Sequence, residues 1–446
     1  MNRRAPAHRD IWQLAWPMML SNLSIPLLGA VDTAILGHLP SPVYLGAVTV
    51  GGSLLSLLFW SFGFLRMGTT SVAARAEGAN DRAGLHQVLV QSLSLALALA
   101  LALMVIGPWL LAPALAWMGP SPEVQGLALE YARIRLWGAP ASLMNFALVG
   151  WFIGRQDTRR PLAILFTTNG LNIVLDALLI LGFGLNSEGA AWASVLAEYG
   201  GLTLGLWLVA RTLHRLNLGR GQPSLLGEVT RWRAYGRLMR VNRHLFVRTL
   251  CLLSVFVFFA AQGARMGNHI LAANAILLQF LLLTSYALDG FAHAAEALTG
   301  RAIGAGRIGD FHLATRRSTL WALGCSVLIS AVFVLGAPWW PTVFTSQPEV
   351  LDIVRAHYVW VCLIPLVGVW GYQLDGIFLG SGQTAAMQYT VLIATGAVFA
   401  PLWWWLQPLG NQGLWLAFVV FNGARGALLG GAYYHLTRKG GWLAFK

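Results

Sequence analysis

Apolar residues run along this chain in long unbroken stretches, separated by short polar breaks. Twelve such runs can be delimited: Ile11–Leu36, Gly46–Thr70, Leu85–Pro108, Val124–Ile153, Pro161–Leu185, Gly189–Arg211, Leu238–Gly263, Ala272–Ala295, Phe311–Leu335, Leu351–Leu379, Ala385–Leu406 and Gly413–Leu436. A run of about 20 residues crosses a hydrocarbon core of about 30 Å as a helix. The runs are continuously apolar rather than alternating, which predicts helices and not barrel strands. The fourth and tenth are long and polar near one end, so they are expected to begin outside the hydrocarbon. The pattern therefore predicts an all-α integral membrane protein with twelve transmembrane helices.

Composition agrees. The 446 residues are 57% hydrophobic and 11% charged, against about 25% charged in soluble domains, too few to cover a soluble surface. The net charge of +13 sits in short loops between the runs, which argues against a nucleic-acid partner and points to membrane lipids instead. Cys251, Cys325 and Cys362 lie in apolar stretches and read as small buried hydrophobes. Arg3 and Arg4 are followed by no short apolar segment with a small-residue cleavage site, so the first run is expected to stay as the first span.

Loops on the N-terminal side hold Arg75 and Arg82, then Arg155, Arg159 and Arg160, then the run from Arg211 to Arg243, then Arg301, Arg307, Arg316 and Arg317, and finally Arg438, Lys439 and Lys446. The opposite loops hold almost no basic residue, Arg265 excepted. The positive-inside rule places both termini in the cytoplasm.

The two halves share a fixed register. Gly37 and Gly263 are 226 positions apart (263 − 37), as are Leu45 and Leu271, Arg75 and Arg301, Gly78 and Gly304, and Glu123 and Glu349. The clearest match sets Gly150-Trp-Phe-Ile-Gly154 with Thr158 against Gly376-Ile-Phe-Leu-Gly380 with Thr384. Two pseudo-symmetric six-helix lobes follow, residues 1–212 and 238–446, joined by a basic cytoplasmic linker at 213–237. Both copies hold an even number of spans and insert the same way up, the parallel-repeat arrangement of transporters, with a substrate path expected between the bundles.

Ionisable groups inside spans cost about 3 kcal/mol each and are the first candidates for chemistry. Asn169, Asn172 and Asp176 are spaced three and four apart on one helical stripe. Asp176 lies at a depth that Asp32 of the first span can match, and Ser194 of the sixth span can add a hydroxyl. Such a group can share a proton, because close like charges raise one pKa. Its oxygens can instead ligate a hard cation such as Na⁺, and a structural polar network is the third reading. In the second half Asp289, His293 and Glu296 share one helix face, and Asp375 lies late in the tenth span. These are candidates for a second proton or cation site, a gate, or pairing to arginines. Asn145 is a candidate for the cavity of Asp176 or for an interhelical hydrogen bond, and Asn169 and Glu198, the latter requiring a partner, are candidates for a substrate cavity or second site, while Glu130, Arg133 and Arg135 read as an interfacial ion-pair cluster. No nucleophile–base pairing, phosphate-cradling loop or Cys/His metal pattern is present, so no enzyme and no cofactor is expected.

The chain resembles the multidrug and toxic compound extrusion (MATE) family, in its DinF-like branch. The resemblance rests on Val31-Asp-Thr-Ala34 with Gly37-His-Leu39, on Asn172-Ile-Val-Leu-Asp176, on Asp289-Gly-Phe-Ala-His-Ala-Ala-Glu296, and on Asp375-Gly-Ile-Phe-Leu-Gly380. It implies cation-coupled export of small amphipathic, often cationic, organic compounds by alternating access, by a protein functional as a monomer. It implies a cation site at Asp32, Asn172, Asp176 and Ser194, for H⁺ in preference to Na⁺, a cavity lined by Asn145, and acidic positions Asp289 and Asp375 in the second lobe. A lipid-linked precursor flippase of the same superfamily and an integral-membrane lipid enzyme are the rival readings.

Overall fold

The computed structural model describes residues 6–37, 39, 41–119, 121–216 and 235–443, with the side chains at 27, 30, 32, 33, 37 and 42 outside the description. Most of the 213–237 linker lies outside the described residues. Those residues form helices and no strand. In chain order they are α1 (His8–Gly37), α2 (Pro42–Ser61), α3 (Phe64–Gly78), α4 (Arg82–Met118), α5 (Pro122–Leu136), α6 (Ala139–Gly154), α7 (Arg159–Asp176) and α8 (Asn186–Arg215). The second half gives α9 (Gly236–Arg265), α10 (Asn268–Gly304), α11 (Ile308–Gly336), the short α12 (Trp340–Phe344), α13 (Pro348–Ser381), α14 (Thr384–Ile393), α15 (Ala400–Leu406) and α16 (Gly410–Arg438).

Nine helical stretches among the described residues are long and apolar enough to cross a membrane, and the bent pair α5–α6 makes ten. The count reaches twelve for two reasons. Helix α1 adds one span. The stretch Thr384–Arg438 is two spans, because a 3₁₀ turn at Gln407–Leu409 and Gly410 at φ +55° reverse the chain. Turns are closed by local chemistry: the Asp81 carboxylate accepts from Gly84 N–H at 2.8 Å to cap α4, and Gly119 and Gly382 end α4 and α13 in the left-handed region.

The residues pack as two compact units, Leu20–Asn242 and Met1–Met19 with Arg243–Lys446. These limits differ from the sequence partition at 212 and 238, for a packing reason. Near the start of α1, the Ala15 carbonyl lies 2.9 Å from where a Cβ on Gly290 would be, and Met19 is closer still. At the start of α9, Asn242 fills the space beside Gly68, and Tyr235 shares a 2.7 Å hydrogen bond with Ser94. The first turns of each lobe's opening helix thus belong to the other unit.

Within each unit the shared glycine motif is a helix contact. A Cβ on Gly150 would fall against the Arg66 carbonyl, and one on Gly154 would lie 2.7 Å from Ala73 Cβ and 2.9 Å from Thr70 O, so α6 lies backbone to backbone on α3. At the matching positions, Gly376 faces the Ala292 carbonyl and Gly380 faces the Glu296 carbonyl with Gly300 N at 3.0 Å, which seats α13 on α10. Small residues four apart allow this approach where hydrocarbon gives no hydrophobic drive between helices.

The lobes differ in continuity. In the first, the second span breaks at Phe62-Gly63 and the fourth bends by 52° at Trp137-Gly138. Their counterparts α10 and α13 run unbroken for 37 and 34 residues.

Gly376→Val should lower the thermal unfolding midpoint of the detergent-purified protein by about 5 °C or more, since overpacking a tight contact costs about 1–3 kcal/mol or more. Gly431→Val, where nothing lies within 4 Å of a Cβ, should leave the midpoint near wild type. Equal losses at both would contradict the contact's role.

Candidate functional site

Helix α7 carries the polar stripe into the first unit. Asn172 and Asp176 are 3% and 1% exposed, and Asp176 is the last α-helical residue before a π-helical turn at Ala177–Gly182. A π turn re-aims the residues around it and recurs at functional positions. Asn169 Nδ2 donates to Ser24 Oγ of α1 at 2.6 Å. Asn172 reaches α8, where Ser194 Oγ lies 3.3 Å away. With the Asn172 amide oriented to suit both neighbours, Nδ2 donates to Asp176 Oδ2 at 3.2 Å while the carbonyl oxygen accepts from Ser194 N–H at 3.2 Å and Oγ–H at 3.3 Å. The predicted group of Asn172, Asp176 and Ser194 is therefore brought together. The side chain of Asp32 lies outside the described residues.

Glu198 has the partner its depth requires, and Asn145 makes an interhelical hydrogen bond to the same residue. Arg135 Nη2 donates to Glu198 Oε1 at 2.8 Å, with both side chains largely buried. Asn145 Nδ2 donates to the Glu198 backbone carbonyl at 3.1 Å. The bend at Gly138 makes this possible: a Cβ there would collide with Glu198 Oε2 and lie 3.2 Å from Arg135 Nη1. Glu198 is thus the partner of a buried arginine, and Arg135 belongs to this pair rather than to a solvated interfacial cluster.

In the second unit Asp375 Oδ2 receives two guanidinium groups. Arg425 Nη2 of α16 donates at 2.8 Å, and Arg248 Nη2 of α9 donates to the same oxygen. Arg425 Nη1 also donates to Asn422 Oδ1 at 3.3 Å. Two cations on one carboxylate leave a surplus positive charge, so Asp375 has little attraction for a further cation. The described hydrogen bonds and ion pairs do not join it to the other predicted acids. Ser285 Oγ donates to Asp289 Oδ2 at 3.3 Å. His293 Nδ1 and the buried Glu296 Oε2 are 3.5 Å apart, an ion-pair distance when the imidazole is protonated.

Sequence reasoning passed over Arg248 and Arg425. The signal was available for Arg425, an isolated cation in the middle of an apolar run, since the cost rule applies to bases as much as to acids; Arg248 was hidden behind Arg240, Arg243 and His244, which make it read as the end of the basic linker. Among the described residues no group of three or more His, Cys, Asp or Glu side chains is arranged to hold a metal ion. The oxygens of Asp176, Asn172 and Ser194 are the hard donors that suit a proton or a small monovalent cation.

Removing the Asp375 carboxylate alone strands two buried guanidiniums. Asp375→Leu should destabilise the protein by about 3–5 kcal/mol, whereas adding Arg248→Met and Arg425→Met should recover most of that loss. Thermal unfolding in detergent reads both, and a triple variant no more stable than Asp375→Leu would contradict the pairing.

Comparison with known proteins fits this geometry. The MatE family model matches twice, over residues 17–178 and 245–405, so the two matches begin 228 positions apart (245 − 17), close to the repeat spacing. The DNA damage-inducible protein F of Escherichia coli (strain K12) is 40% identical over 444 residues, 98% of this chain and 94% of that protein. The multidrug resistance protein PmpM of Pseudomonas aeruginosa is 24% identical over 92% of this chain and 88% of its own length. A solved structure described as MATE in the bent conformation superposes with a TM-score of 0.84 at 23% identity, covering 97% of this chain and 96% of that one, which shows the shared fold.

Proposed function

Because this chain belongs to the MatE family of multi-pass membrane transporters, we propose that it exports amphipathic, cationic organic compounds in exchange for a cation, with H⁺ preferred over Na⁺. The observation that carries this reading is the buried Asp176–Asn172–Ser194 group on α7 and α8. The name of the PmpM relative supports drugs as the class of cargo. Both termini are assigned to the cytoplasm on the positive-inside asymmetry of the loops, and the protein to the bacterial cytoplasmic (inner) membrane on its family resemblance. A single chain is taken as the working unit.

Asn172 supplies a device for carrying the proton. With Asp176 ionised, the Asn172 amide donates to the carboxylate and accepts from Ser194. With Asp176 protonated, a half-turn of the amide lets the acid donate to the Asn172 carbonyl while Nδ2 donates to Ser194 Oγ. The amide atom that faces Asp176 Oδ2 lies 3.2 Å from it, so a half-turn of Asn172 exchanges a donor for an acceptor at that point, at the cost of turning Nδ2 toward Ser194 N–H, and a buried acid beside it can be loaded and released. Cation and drug compete for this carboxylate across an alternating-access cycle. Asp32 is proposed as the second acid of the same site.

A second reading, a flippase for an anionic lipid-linked precursor, is favoured by one observation, the surplus guanidinium charge at Arg248 and Arg425. It calls for a negatively charged cargo.

The test is efflux of a cationic dye from membrane vesicles under an imposed pH gradient, with and without Na⁺. Asp176→Asn and Asp32→Asn should each reduce gradient-driven efflux at least about tenfold, and Asn172→Leu by a smaller factor, as expected for loss of a hydrogen-bonded acid at about 1.4 kcal/mol per decade. Wild-type efflux in both aspartate variants would reject the site, and dependence on Na⁺ alone would reject H⁺. Transport of an anionic lipid precursor but not of dye would favour the second reading.

A further inference from the structure

The second unit holds a groove of about 810 Å³ bounded by α11, α13 and α16. Its α16 wall carries small residues, Gly423, Gly426, Ala427 and Gly430, at helical spacing; Gly423 and Gly426 seat closely on Val367 and Trp370 of α13, while Gly430 has more room. Leu366, Trp370 and Leu374 of α13 form an apolar floor, and Leu320 of α11 the opposite wall. Leu320, Leu366 and Trp370 are exposed. Apolar surface of this kind within the hydrocarbon span is covered by an acyl chain and not by water.

One end of the groove is polar. His312 Nδ1 and Tyr433 Oη are 3.0 Å apart there, and Arg316 is exposed with no ion-pair partner among the described residues. No carboxylate lines the groove. On the α13 side, Gln373 is 2% exposed, and its Nε2 donates to Ser318 Oγ at 2.7 Å, which ties α13 to α11 beside the groove.

The depths fit one molecule. Arg316 is eight residues from the start of α11 (316 − 308) and Gln373 eight from the end of α13 (381 − 373), each about 12 Å along its helix. Helices of 29 and 34 residues overhang a core of about 30 Å by roughly 7–10 Å at each end. Both positions therefore lie just inside the hydrocarbon boundary, from which the long Arg316 side chain can extend outward to the phosphate level. These features are not inherited from the repeat. At the 226 offset Gly430 matches Leu204, Arg316 matches Val90 and Gln373 matches Ala147.

We propose that this groove is a binding site for one anionic phospholipid, of the phosphatidylglycerol class. Its phosphate pairs with Arg316 beside His312 and Tyr433. One acyl chain lies over Leu366, Trp370 and Leu374 against the glycine wall. The site does not depend on the transport reading; under the orientation assigned above it draws on the cytoplasmic leaflet.

The test is native mass spectrometry of the full-length protein in detergent, titrated with phosphatidylglycerol and with phosphatidylcholine of the same acyl chains. Wild type should retain phosphatidylglycerol in preference by about fivefold, the scale of one arginine near the membrane surface. Arg316→Gln, which removes an exposed side chain, should abolish the preference. Gly430→Leu should weaken retention of both lipids by filling the groove, since the nearest atom to a Cβ there is Leu374 Cδ1 at 4.0 Å and the backbone need not move. Equal retention of the two lipids by wild type, or wild-type retention of phosphatidylglycerol in both variants, would overturn the proposal. Unfolding midpoints of the two variants near that of wild type establish that they are folded.

Discussion

Close approach of two helix backbones, repeated once in each lobe, is the constraint on which the rest of this structure depends. Gly150 and Gly154 let α6 rest on the carbonyls of α3, and Gly376 and Gly380 do the same for α13 on α10. In hydrocarbon, helices gain little from apolar contact that lipid would not also supply, so packing density decides which pairs form. The glycine pairs fix which face of the fourth and tenth spans is turned inward. That choice sets where Asp375, one residue before Gly376, must lie, and it fixes the start of the fourth-span helix that carries Asn145 toward α8.

A shared scaffold carries unlike chemistry in its two lobes. The buried aspartate of the first unit is surrounded by an amide and a hydroxyl, groups that can serve an ionised or a protonated acid. The buried aspartate of the second unit is held between two guanidiniums, which satisfy one of its oxygens and leave net positive charge in the cluster. Removing one partner from a buried ion cluster costs more than the intact cluster contributes, so the second arrangement suits a structural lock. The first suits an exchangeable proton. The same contrast separates Glu198, committed to Arg135, from Asp176 four helix positions from Asn172.

Much of the fold was legible in the sequence, because the features that define it are local or repeated. Apolar run length gives the spans, and gapless register gives the lobes. Helix breaks were less legible. The first lobe breaks at Gly63 and Gly138, and at the 226 offset the second lobe has Asp289 and Ile364, which continue the helix. Hydropathy cannot see that difference, since glycine scarcely changes a window mean. The Asn172–Asp176 group was readable because its members are one helix turn apart. The Arg248–Asp375–Arg425 cluster was not, because its partners are 127 and 50 positions away from Asp375, and only packing brings them together. The groove along α16 was equally hidden: Gly423 and Gly426 pack closely on α13 as in any tight span, and only the structure shows that Gly430, with its nearest neighbour at 4.0 Å, is more open.

The central claim is that the exchangeable proton sits on the first-lobe acid and not on the second-lobe one. Proton release on binding of a cationic drug to the detergent-purified protein, followed with a pH indicator in weakly buffered solution, tests it most directly. Wild type and an Asp375→Asn variant that retains drug binding should both release a proton as the drug binds, and Asp176→Asn should bind drug without release. Undiminished release from Asp176→Asn, together with its loss in Asp375→Asn, would contradict the account.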